Sequence, residues 1–169
     1  MWILTVALVS ARQLRRSAVA ASCLALLAAV LAFYVGKKVM CGIRCPDMPY
    51  SLNIVQLAEW DVLAVIVGAI LGAIFADIGA DGRRGAIAAA VAVGLLAADA
   101  YRRTDNYPAE GQVVIGFAVL AVIAVLAVAV RTPRHLSAIA AWAVPTALIG
   151  YGLVSAPDAI EQLLITGSL

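Results

Sequence analysis

Residues 111–130 read Gly-Gln-Val-Val-Ile-Gly-Phe-Ala-Val-Leu-Ala-Val-Ile-Ala-Val-Leu-Ala-Val-Ala-Val, carry no charge and end against Arg131. Twenty helical residues rise about 30 Å, the thickness of a bilayer's hydrocarbon core. The run is too long and too apolar for a strand. It predicts a helix that crosses a membrane.

Working outward, the same unit recurs. After the short turn Arg131-Thr132-Pro133-Arg134 comes an uncharged run from Leu136 to Pro157, and nearer the start another from Ser17 to Gly36. Two shorter runs lie between them. Val62 to Ala76 is bounded by Asp61 and Asp77, and Gly85 to Ala98 by Arg84 and Asp99. As helices they cover only about 21–23 Å, so they cross only with their charged ends at the interfaces. Met1 to Ala11 reaches about 16 Å and reads as a surface helix, a half-span or the remainder of a longer helix.

Composition agrees. Hydrophobic residues make up 64% of 169 positions and charged ones 13%, whereas a soluble domain is nearer half apolar and a quarter charged. Mean hydropathy is +1.02. A formal net charge of +2 is too small to argue for nucleic acid. The expected fold is all-α: a polytopic transmembrane bundle forming one integral membrane domain over 1–169. Its spans lie near 17–36, 60–78, 84–101, 111–130 and 136–156, with an outer loop at 37–59 and a sixth span if the N-terminal helix crosses.

Basic residues orient such a bundle. Alternating spans put Arg12, Arg15, Arg16, Arg83, Arg84, Arg131 and Arg134 on one side, in tight turns. Lys37, Lys38, Arg44, Arg102 and Arg103 fall on the other, in longer connections. The arginine-bearing turns are therefore expected in the cytoplasm and the cysteine-containing loop outside a cell membrane. Acidic residues such as Asp47, Glu59, Asp61, Asp105 and Glu110, and aromatics such as Tyr34, Trp60, Tyr101 and Tyr151, mark the outer side.

Small residues suggest how the helices meet. Ala64, Gly68, Gly72 and Ala76 form an i, i+4 ladder, and Ala86, Ala90, Gly94 and Ala98 form another. In lipid such ladders let backbones approach, so the two helices are expected to pack on each other as a hairpin. Pro145, in the middle of the last span, should bend it.

Candidate chemistry is sparse. Asp77 and Asp99 each close a Gly-x-x-x-Ala-Asp segment and each precedes an arginine pair, Arg83–Arg84 and Arg102–Arg103. An ionisable group at membrane depth is a functional-site hypothesis, and short Gly-interrupted spans in related halves point to a transporter site. Asp77, Asp99, Arg84 and Arg102 are the candidate polar site; the plainer reading has each aspartate neutralising nearby arginines at an interface. Asp158 and Glu161 share a helix face and, with Glu59 and Asp61, would form an acidic outer rim. Cys41 and Cys45, in Cys-Gly-Ile-Arg-Cys-Pro, could close a disulfide outside the cytoplasm or stay as thiols. Their spacing departs from the Cys-x-x-Cys of membrane redox enzymes. With His135 the only histidine, neither a zinc site nor a Ser–His–Asp triad is evident. The reading includes no metal and no cofactor.

Ala32-Phe33-Tyr34-Val35-Gly36, Trp142-Ala143-Val144-Pro145 and Gly150-Tyr151-Gly152 resemble segments of small multi-pass membrane proteins of bacteria that remain uncharacterised. That resemblance implies no activity and transfers no site residue. Three functions stay open: a non-enzymatic accessory or assembly component with a membrane-protein partner or a second copy of itself, a small-solute or ion transporter using intramembrane carboxylates, and a thiol-dependent oxidoreductase.

Overall fold

In the computed structural model, residues 2–44 and 53–166 are described, apart from the side chains of 153, 154 and 156–166. Among the described residues the chain is wholly helical: α1 (Trp2–Ser10), α2 (Arg15–Arg44), α3 (Ile54–Phe75), α4 (Arg83–Asn106), α5 (Gly111–Ala129) and α6 (Pro133–Thr166), with one 3-10 turn at Pro108–Glu110. Four of these, α2, α3, α4 and the segment from Pro108 through α5, are long and apolar enough to cross a membrane. Contacts divide the chain into two units, Met1–Ala76 and Asp77–Leu169.

The first unit holds α1, α2 and α3, each touching the other two. Nine-residue α1 rises only about 14 Å, yet Ile3 and Val6 have no exposed surface. It is a packed element of the unit. The following turn takes Arg12 into the left-handed region, at φ 60°.

α2 outruns its expected end at Gly36 and continues to Arg44. Lys37 and Lys38 lie within it. A lysine removes no backbone hydrogen bond and has a good helix propensity, so it marks an interface and not a helix end. Residues 37–44 of the expected loop 37–59 are thus helical.

α3 starts at Ile54, where the Asn53 side chain accepts from the Val55 and Gln56 amides at 3.1 and 3.2 Å. That is an N-cap. Nothing between Ile54 and Val67 breaks a helix, so residues 54–59 and the span expected from 60 form one element.

The ladders find partners inside their own units. A Cβ on Gly68 would lie 2.9 Å from Cys23 Cα, and one on Gly72 would lie 2.9 Å from both Ala18 O and Val19 Cα. The α3 ladder therefore faces α2. Gly94 faces Thr146 and Ala147 of α6. Each ladder thus meets a close partner within its own unit: a stripe of small residues licenses close approach to any helix with a matching stripe, and Ala18 and Ser22 supply one on α2.

In the second unit α4 packs on both α5 and α6. Of its most apolar stretch 61% is buried, against 17% for the stretch leading through α5. α4 is the Ala- and Gly-rich centre, and α5 leaves half of its Val, Leu and Ile exposed. Thr132 caps α6, its hydroxyl accepting from the His135 amide at 3.3 Å, with Pro133 at the first helical position, where its missing N–H costs nothing.

Candidate functional site

The four candidate polar residues fall at the two ends of α4. Asp77 is half-buried in the turn before the helix, where its carbonyl accepts from the Ala80 amide at 2.9 Å, and Arg84 is exposed in the first turn. Asp99 and Arg102 lie in the last third of the same helix. Arg84 and Asp99 are fifteen residues apart, about 22 Å of helix. The structure does not bring the four together.

Asp99 is the one carboxylate among the described residues that is buried, at 8% exposure. Its Oδ2 accepts from Arg103 Nε at 2.9 Å, an i, i+4 pair whose arginine is half exposed. The partner is Arg103 because α4 continues to Asn106, past the expected end at 101. Once Asp99 lies inside the helix, the residue one turn on shares its face. The arginine's aliphatic stem covers apolar surface while its head reaches outward. Nearby, Tyr101 and Tyr151 meet edge to face at 5.6 Å, and Gly150 packs against Leu95 and Ala98. Cys41 is half-buried near the end of α2, and Cys45 lies outside the described residues, as do the side chains of Asp158 and Glu161.

Several polar contacts were not singled out in the sequence. Ser10 and Ser22 are both wholly buried, and their hydroxyl oxygens are 2.6 Å apart, tying α1 to α2. The Thr146 hydroxyl lies 2.9 Å from the Ala90 carbonyl of α4, and also within reach of the Trp142 and Ala143 carbonyls of its own helix, at 2.8 and 3.0 Å. One proton is shared among three acceptors. Thr146 follows Pro145, whose missing N–H removes one helical hydrogen bond, yet α6 runs unbroken from Pro133 to Thr166. A hydroxyl isolated in an apolar span was the available signal, since lipid offers it no partner.

Further buried atoms without a hydrogen-bond partner among the described residues include Asp61 Oδ1 on α3, and His135 Nε2 and Ser155 Oγ on α6. No group of three or more His, Cys, Asp or Glu among the described residues could hold a metal ion.

No curated protein and no solved structure gives a significant match to the chain. A family model does match, over residues 1–160, and is described as a family of unknown function, DUF6518. With nearly the whole length covered by that model, the chain belongs to the DUF6518 family.

Proposed function

We propose that the chain is a multi-pass integral membrane protein with five crossings, arginine turns in the cytoplasm, acting as a non-catalytic accessory or assembly component. The observation that carries this reading is how buried polar groups are used. Ser10 meets Ser22, Thr146 reaches Ala90 across a helix seam, and Asp99 pairs with Arg103. These contacts lock helices together or neutralise charge, as a scaffold requires. Exposed apolar faces on α3 and α5 supply the surface for lipid, a membrane-protein partner or a second copy.

Topology is tested by single cysteines in a Cys-free background. A membrane-impermeant maleimide added outside should label position 48 and leave 82 and 132 untouched until the membrane is opened. Labelling of 82 from outside would invert the orientation.

A buried carboxylate gives a second reading, transport of a proton or small cation past Asp99. Wild-type protein in proteoliposomes should give no proton or cation flux above that of empty vesicles. Flux that disappears in Asp99→Asn, with the unfolding midpoint in detergent unchanged, would replace the scaffold reading with this one.

A further inference from the structure

The end of the second unit where α4 and α6 begin is strongly basic. Two short turns, 77–84 and 131–135, carry Arg83, Arg84, Arg131 and Arg134 against Asp77 and Asp81. Asp81 makes only a long contact, 3.4 Å to Arg131 Nη1, and its side chain is 83% exposed. Both helices start here: Thr146 and Ala147 of α6 lie against Gly94, and Gly150 against Leu95 and Ala98, so the two chains run in parallel. The positive ends of their dipoles therefore face the same way; α6 is capped by Thr132 and opens on Pro133, so the open first turn is that of α4. The cap position of α4 is Gly82, at φ 80°, with no side chain to accept from the first amides. A supply of donors thus gathers at this end with little on the protein to receive them.

A second, independent observation comes from His135. It is the third residue of α6, is 8% exposed, and its Nε2 has no hydrogen-bond partner among the described residues. Side chains of a helix lean toward its N-terminus, so the imidazole leans into this basic end. A buried imidazole nitrogen without a partner is costly unless something arrives to satisfy it. Trp142 adds the depth: the Arg83 guanidinium sits 5.9 Å above its ring, an arrangement suited to the headgroup level, where indoles concentrate.

We propose that this end of the unit binds the phosphate of an anionic phospholipid headgroup, held by Arg83, Arg84, Arg131 and Arg134, the open first turn of α4 and His135. The lipid's net negative charge complements the excess of arginine, and its acyl chains have the exposed face of α5 to lie along. The proposal rests on the membrane reading, but labelling of positions 48, 82 and 132 tests that reading separately, so the two can fail independently.

The experiment is native mass spectrometry of the full chain, released from detergent containing equal amounts of phosphatidylglycerol and phosphatidylcholine. The wild type should retain phosphatidylglycerol in preference. Each arginine removed near a charged headgroup is worth roughly fivefold, so Arg83→Gln with Arg84→Gln should lower retention by roughly thirtyfold. The Lys-bearing versions at these two positions should keep most of it, and Lys37→Gln with Lys38→Gln should change nothing. His135→Ala should lower retention while the detergent unfolding midpoint stays near that of the wild type. Equal retention of the two lipids, or equal loss in the lysine-pair variant, overturns the proposal. Displacement of the lipid by millimolar inorganic phosphate overturns it too, by assigning the site to free phosphate.

Discussion

Gly94→Leu is expected to force α6 off α4 and to lower the unit's unfolding free energy by about 3 kcal/mol. A Cβ at Gly94 would collide with the Thr146 hydroxyl and would lie 2.7 Å from the Ala147 amide nitrogen and 2.8 Å from the Thr146 carbonyl carbon. Backbone cannot step aside as a side-chain tip can, so the helices must part. Parting also removes the Thr146–Ala90 hydrogen bond, which in lipid has no water to replace it. The measurement is the near-UV circular dichroism midpoint in a denaturing-detergent titration. Gly116→Leu serves as the comparison. Nothing lies within 4 Å of that position, and its midpoint should stay within about 0.5 kcal/mol of wild type. Equal loss in both variants would mean that close approach at Gly94 is not what holds the seam.

The counterpart in the first unit is Gly72→Leu, with an expected loss of about 3 kcal/mol. Its Cβ would lie 2.7 Å from Ser22 Oγ and 2.9 Å from the Ala18 carbonyl oxygen. Here the damage spreads, because the same Ser22 hydroxyl is bonded to Ser10. Displacing Ser22 should loosen α1 as well as α3. Hydrogen exchange resolves this: amides of residues 2–10 should exchange faster in Gly72→Leu, and less so in Ser22→Ala, which removes the bond without pushing the helices apart. Gly36→Leu, where a side chain meets open space, should leave exchange in α1 unchanged. Protected α1 amides in Gly72→Leu would show that α1 is held without help from the Ser10–Ser22 contact.

Much of the helical pattern is legible in residue order because lipid imposes a single rule, that long uncharged runs become helices. α5 could be read almost to its ends for that reason. Charge does not end these helices: α2 continues past Gly36 to Arg44 and α4 past Tyr101 to Asn106. Backbone hydrogen bonding continues through Lys37, Lys38, Arg102 and Arg103 because long cationic side chains can reach out from a helix without interrupting it. The plainer reading of Asp99 beside Arg102 and Arg103 leaves open which of the two it meets, and the continued helix puts Arg103 on its face. The glycines were legible as places of close approach, but the partner helix was not. Spacing along one helix records the width of the gap it tolerates and contains nothing about which neighbour fills it. The hydroxyls of Ser10, Ser22 and Thr146 were visible letters whose meaning depends on residues 12 and 56 positions away, a distance no local pattern spans.

The outward display of α5 has a practical consequence. Val119, Leu120 and Ile123 touch little of their own chain, so they are positions where a photoreactive amino acid or a fluorinated probe could be installed without altering the fold. From there the probe would record what adjoins the molecule in a living cell, whether acyl chain, companion subunit or its own twin.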